Sequence, residues 1–282
     1  MQINKVGVVG CGLMGSGITE VCARSGYDVI VREVNRELLQ RGLDRIQKSV
    51  GKGVSRGKLS QEEADQAMAR IQGTLDLADF SDCDLVVEAA VENMALKKQI
   101  FAELDEILPP HAVLASNTSS LCITEMASVT GRGAKVLGIH FFNPVPVMPL
   151  IEFVRTILTS DETMQIARGF GASLGKTMVT AKDTPGFIVN RLLIPYILDA
   201  VRVYEDGLAS REDIDTAIKL GLNHPMGPLT LLDFVGLDTC LFIADAMYEE
   251  YKDPRYAAPP LLRRMVLAGH LGRKSGKGFY DY

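Results

Sequence analysis

The segment from Lys5 to Glu33 constrains the fold more than any other part of the chain. A short β-branched run, Lys5–Val9, leads directly into glycines at positions 10, 12 and 15, and a helical pattern follows to about Ser25. In such a turn the first glycine permits the tight bend, the second lets a pyrophosphate approach the backbone, and the third lets helix and strand pack closely. A glycine triplet alone could be an ordinary tight turn. Here, however, a second strand ends at an acid 18 residues after the last glycine. The segment therefore predicts a dinucleotide site, with Gly10, Gly12, Leu13, Met14, Gly15 and Glu33 as its binding residues.

The same acid bears on which dinucleotide is bound. A carboxylate at Glu33 would accept hydrogen bonds from the adenosine ribose hydroxyls and repel a 2′-phosphate. This favours NAD over NADP, although the adjacent Arg32 could host a 2′-phosphate and weakens the preference.

Hydrophobic periodicity predicts two domains. Short β-branched runs alternate with amphipathic stretches over residues 1–182, which is typical of parallel strands and crossover helices. We expect an α/β, doubly wound Rossmann sheet there, with strands at Val6–Val9, Val29–Val31, Leu85–Val87, Val113–Ala115, Val136–Ile139 and Leu150–Val154. Residues 36–72 are too long for one crossover helix, and Ser60 with Glu63 forms a capping-box signature, so we expect an inserted helical hairpin.

After Lys182 the pattern is helical to the end of the chain. Residues 183–282 are therefore predicted to form an all-helical domain, with helices at Phe187–Tyr204 and Pro228–Tyr251.

Composition narrows the class of protein. A hydrophobic content of 47% and a charged content of 23% are those of a globular chain, and the net charge of -5 argues against general binding to nucleic acid or anionic membrane. The five cysteines lack paired or metal-ligand spacing, which indicates reduced thiols and no metal site. With no signal-peptide pattern and no apolar run of about 18 residues, the sequence predicts a cytoplasmic protein.

A basic segment stands out within this acidic chain. Residues 36–58 contain seven basic and two acidic residues. Arg41, Arg45, Lys48, Lys52 and Arg56 recur at helical spacing and would share one face. Such a face is often simply solvated. The alternative is an anion site for the phosphorylated tail of a second ligand.

One histidine has the position of a catalytic base. His140 ends the run Val136–Ile139 at the carboxyl end of a strand, where sites of open α/β sheets are built. Glu152 follows on the next strand-like run, and a histidine with a carboxylate partner is suited to proton transfer near neutral pH. A histidine satisfied structurally at a strand end is the alternative. His111 and His270 have no evident partner.

Several ordered motifs resemble those of one known family, the L-3-hydroxyacyl-CoA dehydrogenases, and most closely its short-chain bacterial members. The resemblance covers the whole chain and is carried by Glu88–Asn93, Ser116–Leu121, His140–Pro144, Asp183–Phe187 with Asn190–Arg191, His224–Pro228 and the closing Gly276–Tyr280.

The resemblance implies roles for particular residues. His140 matches the general base and Glu152 its orienting carboxylate, while Ser119, Asn143 and Asn190 match residues that contact the reacting oxygen, neighbouring substrate atoms or the coenzyme. Contacts to the nicotinamide half of NAD match Glu92, Lys97 and Asn117, and the coenzyme A site matches Ser49, Lys52 and Arg56. Glu33 and Arg56 stand where the family more often has aspartate and lysine, and both keep the charge. A homodimer through the helical domain is also implied.

The predicted function is thus NAD-dependent interconversion of (3S)-3-hydroxyacyl-CoA and 3-ketoacyl-CoA, with a short acyl chain. Two alternatives remain at this point: a dehydrogenase of a small free hydroxy acid or sugar acid, and a non-catalytic protein that retains the nucleotide fold.

Overall fold

The computed structural model describes residues 2–282, and the chain divides into two compact units, one ending at Thr184 and the other comprising Pro185–Tyr282. The first unit contains the sheet and the second is built from helices.

One eight-stranded sheet forms the centre of the first unit, in the order β3-β2-β1-β4-β5-β6-β7-β8. Its strands are β1 Lys5–Val9, β2 Asp28–Arg32, β3 Ile71–Thr74, β4 Leu85–Glu88, β5 Val113–Ser116, β6 Val136–Phe141, β7 Leu150–Arg155 and β8 Thr177–Lys182. The predicted doubly wound sheet is confirmed, and its middle strands are apolar and almost completely buried on both faces, as expected beneath covering helices.

Three features of the sheet correct the sequence-based expectations. The edge strands β3 and β8 were missed, because their partly exposed sequences, IQGT and TMVTAK, lack the continuous apolar run of a buried strand. In addition, β7 pairs antiparallel with β6 and parallel with β8. Only residues 142–149 connect β6 to β7, and a parallel crossover needs a dozen residues or more.

Six helices accompany the sheet: α1 Leu13–Arg24, α2 Arg36–Ser55, α3 Gln61–Ala69, α4 Met94–Ile107, α5 Ile123–Ala127 and α6 Asp161–Ser173. Helices α2 and α3 form a hairpin before β3. The Ser60 hydroxyl accepts from the Glu63 amide at 3.1 Å, and the Glu63 carboxylate accepts from the Ser60 amide at 2.8 Å, which completes the predicted capping box. Helix α2 ends at Ser55, and its Ile46 and Val50 are buried in the core.

The second unit contains α7 Val189–Glu205, α8 Arg211–Gly221, α9 Pro228–Val235, α10 Leu237–Tyr251 and α11 Pro260–Leu267. The single helix predicted for 228–251 is wrong, because Gly236 adopts φ +105° and separates α9 from α10. Likewise α7 starts two residues later than predicted, after Phe187, whose φ is +45°.

The C-terminus is held by a buried carboxylate of the same unit. Asp233 is 1% exposed and accepts hydrogen bonds from the amides of Phe279 at 2.8 Å and Tyr280 at 2.9 Å. A Cβ on Gly278 would lie 2.0 Å from Asp233 Oδ1, so this close approach requires glycine. The closing glycine-rich motif therefore has a structural reason.

Candidate active site

The glycine turn has the geometry that its sequence predicts. Gly10 adopts φ +96°, and a Cβ on Gly15 would lie 1.8 Å from the Gly10 carbonyl oxygen, so α1 and β1 pack against each other at backbone distance. A Cβ on Gly12, in contrast, would meet nothing within 4 Å. Gly12 thus faces a space at the start of α1 that a ligand can approach to backbone distance, and the residues present fit a dinucleotide pyrophosphate.

Glu33 lies beside this turn, one residue after β2. Its Oε1 accepts from the Cys11 amide at 2.7 Å and its Oε2 from the Val34 amide at 3.0 Å, which holds the carboxylate at the edge of the glycine turn. The neighbouring Arg32 donates from Nε to the Leu75 carbonyl at 3.3 Å.

Burial, together with the nearby Glu33 carboxylate, raises the pKa of Cys11 to about 12, so this thiol stays protonated at neutral pH.

His140 and Glu152 face each other across the antiparallel pair β6 and β7, in which they are register partners. His140 Nδ1 lies 2.7 Å from Glu152 Oε2, and the two residues are 6% and 0% exposed. The ring of Phe142 packs on the imidazole at a centroid distance of 4.6 Å. A buried carboxylate therefore orients the imidazole at the carboxyl end of β6.

A polar cluster lies at the ends of the two neighbouring strands, β4 and β5. The buried Lys97 ammonium on α4 contacts Glu88 Oε1 at 2.6 Å and Glu92 Oε2 at 3.4 Å. Glu92 also accepts from the Ser119 amide at 3.2 Å, and Glu88 from the Ser116 hydroxyl at 2.7 Å. Glu92, Lys97 and Ser119 were predicted from the sequence. Glu88 and Ser116 were not, since a single acid or serine at a strand end does not reveal that it will be buried.

Asn117 connects this cluster to the strand of the histidine. Its amide donates to the Glu88 carbonyl at 2.8 Å, and its side-chain oxygen accepts from the Phe141 amide at 2.9 Å. Phe141 follows His140 directly. The predicted coenzyme residues and the predicted base are thus brought to one edge of the sheet.

The basic residues of the hairpin have different surroundings. Arg41 pairs with Glu37 at 2.6 Å, and Arg45 donates to the Cys11 carbonyl at 3.1 Å. Within residues 2–282, Lys48, Lys52 and Arg56 form no ion pair, and all three are exposed. Arg56 is the first residue after α2, so Lys52 is the last member of the predicted face that lies within the helix.

Two further predicted residues line a small cleft of about 150 Å³ at the start of α1, namely Ser49 on α2 and the exposed Asn143 after β6. Asn190 lies in the second unit, at the start of α7, and is 8% exposed. Its proposed contact with the substrate stays a prediction.

The expectation that His111 has no partner is wrong, because its Nε2 lies 3.0 Å from Asp84 Oδ1. This contact holds the loop before β5 against β4, which gives His111 a structural partner.

Two other kinds of site are absent among residues 2–282. No described helix is both long and apolar enough to cross a membrane, and no group of three or more potential ligands is arranged around a metal position.

Three features together define a nicotinamide-coenzyme dehydrogenase. They are a Rossmann unit with an acid beside its glycine turn, a buried histidine–carboxylate pair at the same sheet edge, and a helical unit that follows in the chain. Residues 5–184 match the family model described as "3-hydroxyacyl-CoA dehydrogenase, NAD binding domain", and residues 186–282 match "3-hydroxyacyl-CoA dehydrogenase, C-terminal domain". The chain belongs to the 3-hydroxyacyl-CoA dehydrogenase family, an NAD-dependent family of oxidoreductases.

Individual relatives agree with this assignment. A 3-hydroxybutyryl-CoA dehydrogenase of Mycobacterium tuberculosis is 53% identical over 99% of each chain. The crystal structure of M. tuberculosis FadB2 superposes with a TM-score of 0.98 at 53% identity and covers 100% of both chains. That of (S)-3-hydroxybutyryl-CoA dehydrogenase PaaH1 from Ralstonia eutropha gives a TM-score of 0.95 at 44% identity, with 100% of this chain and 99% of that one covered. The predicted family and coenzyme are confirmed.

Proposed function

We propose that this enzyme interconverts (3S)-3-hydroxybutyryl-CoA and acetoacetyl-CoA with NAD(H). One observation carries the proposal: the buried His140 and Glu152 pair stands at the sheet edge that holds the glycine turn, in a chain that shares 53% identity with a 3-hydroxybutyryl-CoA dehydrogenase.

The proton is handled by the chain's own residues. His140 accepts the proton of the substrate 3-hydroxyl as the C3 carbonyl forms, and Glu152 stabilises the resulting imidazolium at Nδ1. NAD held at the glycine turn would supply the acceptor for the hydride of C3. We assign Ser119 and Asn190 to hydrogen bonds with the reacting oxygen, whose charge changes during the transfer. In the reverse direction His140 returns the proton to that oxygen.

The coenzyme A portion is assigned to the hairpin. Lys52 and Arg56 are exposed and form no ion pair within residues 2–282, so they can neutralise phosphate groups without first breaking an existing contact. Ser49 and Asn143 line one cleft, and we assign both to contacts with the substrate.

Activity with acetoacetyl-CoA and NADH, compared with free acetoacetate and NADH, tests the assignment. We expect turnover of the thioester and little of the free acid, since only the thioester carries the phosphates that the hairpin would bind. Equal turnover of the two would favour a dehydrogenase of small free acids. Kinetics with acyl chains from about C4 to C16 would then define the chain-length preference.

We further propose a homodimer formed through the helical unit. An apolar groove of about 430 Å³ runs between α7 and α8, lined by Ala200, Val203 and Ala217, and Leu208 at its rim is 76% exposed. A second copy of this chain would cover that surface. Sedimentation at micromolar concentration should give a dimer, and Val203→Asp should give a monomer. A monomeric unsubstituted protein would contradict the proposal.

The five cysteines are all unpaired, and four of them are buried. This supports the proposal of a reducing, cytoplasmic compartment, where thiols persist.

A further inference from the structure

The cluster at the ends of β4 and β5 contains two carboxylates and one ammonium. Glu88 and Lys97 are 0% and 1% exposed and lie 2.6 Å apart, and Glu92 lies 3.4 Å from the same ammonium with its side chain 30% exposed. Lys97 can neutralise one of the two carboxylates. The cluster therefore has a net charge of about -1.

The remaining partners of the carboxylates are uncharged donors. Glu88 accepts from the Ala90 amide at 2.7 Å and the Ser116 hydroxyl at 2.7 Å. Glu92 accepts from the Thr118 hydroxyl at 3.1 Å and from the Ser119 amide. Among the ion pairs of residues 2–282, no second cation contacts either carboxylate. These hydrogen bonds stabilise the negative charge but do not cancel it.

The topology relates this charge to the coenzyme. The glycine turn follows β1 and His140 lies on β6, while β4 and β5 occupy the positions between them. A dinucleotide with its pyrophosphate at the turn must present its redox-active ring to a substrate whose hydroxyl reaches His140. That ring would therefore lie over the ends of β4 and β5, the edge at which the cluster lies.

We propose that Glu88, through this cluster, makes the coenzyme site favour the oxidised over the reduced nicotinamide. The inference rests on the proposed function for the position of the ring and adds a residue to it. The oxidised ring has a charge of +1, and the reduced ring, which carries the hydride from C3, is neutral. Loss of the hydride from C3 and of the hydroxyl proton to His140 leaves the carbonyl. A fixed negative charge stabilises only the oxidised form. On the enzyme, the equilibrium between bound species would thereby shift toward NAD⁺ and the 3-hydroxyacyl thioester.

Glu88→Gln is the test, because it keeps the shape of the side chain and removes one negative charge. The dissociation constants of NADH and NAD⁺ would be measured on the whole enzyme without acyl-CoA, by NADH fluorescence and by competition. Removing one negative charge that acts within about a nanometre of the nicotinamide ring should weaken binding of NAD⁺ relative to NADH by about fivefold. Because no substrate is present, this result does not depend on which thioester the enzyme uses.

Ser116→Ala is the matched control, since it removes a hydrogen bond to Glu88 without changing any charge. It should leave the ratio of the two dissociation constants unchanged. Equal weakening of both coenzyme forms by Glu88→Gln, or the same change of ratio in Ser116→Ala, would overturn the proposal and leave Glu88 a structural residue.

Should Glu88→Gln fail to fold, Glu92→Gln removes the same charge from a partly exposed side chain. It should change the ratio in the same direction. An unchanged ratio in Glu92→Gln would overturn the proposal independently.

Discussion

The pairing of His140 with Glu152 is a property of two residues in one register position. The antiparallel register places the two side chains opposite each other, and the 2.7 Å contact fixes the orientation of the imidazole. Little reorganisation is then needed when a substrate hydroxyl arrives, because the base and its stabilising charge are already in place.

Replacing His140 with alanine should lower kcat by roughly 10²-fold or more, because the hydroxyl proton loses its acceptor. The dissociation constant of NAD should stay unchanged, since the glycine turn is intact. Steady-state kinetics and coenzyme titration would measure the two quantities. Near-normal turnover would contradict the role of general base.

Replacing Glu152 with glutamine should lower kcat by roughly 10²-fold or more. The neutral amide does not stabilise the imidazolium of His140, and it is a weaker acceptor for the Nδ1 hydrogen than the charged carboxylate. The matched control is Glu162→Gln on the exposed first turn of α6, which should leave kcat unchanged. If the two variants had equal kcat, the carboxylate of Glu152 would have no part in proton transfer.

Sequence reasoning at this scale found residues whose chemistry is tied to a motif or to a strand end, such as Gly12, Glu33 and His140. It did not find Glu88, because the importance of that carboxylate comes from complete burial against Lys97, and burial of an acid depends on which helix covers the strand end. It also gave no partner to His111, whose contact with Asp84 joins residues 27 positions apart.

At the scale of elements, the glycine turn performs two separable tasks. Gly15 lets α1 pack against β1, and Gly12 leaves room for the coenzyme. One methyl group placed at each position therefore distinguishes folding from binding.

Gly15→Ala should destabilise the protein by about 1–3 kcal/mol, because its Cβ would lie 1.8 Å from the Gly10 carbonyl oxygen. Gly12→Ala should keep the unfolding temperature of the unsubstituted protein, since its Cβ meets no protein atom within 4 Å, and should weaken NAD binding by about tenfold or more. Thermal unfolding and coenzyme titration test both statements. A Gly12→Ala protein with normal affinity would show that the coenzyme does not approach this turn.

The strands and helices that were predicted well are those with a strong periodic signal. The buried strands β1, β2, β4, β5 and β6 consist of continuous apolar runs, and the capping box marks the start of α3 in the sequence itself. The edge strands β3 and β8 have one neighbour each and need no such run, so their pairing is decided by the rest of the sheet. Gly236 divides a helical pattern that periodicity alone could not divide.

At the scale of the whole molecule, charge is distributed unevenly. The chain has a net charge of -5, whereas residues 36–58 contain seven basic and two acidic residues. A polyanionic substrate would thus be repelled by most of the surface and attracted by the hairpin, which favours one orientation of approach.

This distribution predicts a dependence on salt. The KM for acetoacetyl-CoA should rise with ionic strength, because salt screens the attraction between exposed charges. Arg56→Ala should raise KM by roughly fivefold to tenfold and weaken its dependence on salt, with kcat nearly unchanged. The control is Arg41→Ala, whose guanidinium already pairs with Glu37, and its KM should change little. A KM that is independent of salt in the unsubstituted enzyme would argue against the hairpin as the coenzyme A site.

The antiparallel pairing of β6 with β7 also bears on how this enzyme can vary in sequence. The register of the two strands places Glu152 opposite His140. A slip of β7 by one position would instead turn Glu152 to the opposite face of the sheet and bring an apolar neighbour toward the imidazole. An insertion or deletion inside β7 should therefore abolish activity even where the chain still folds.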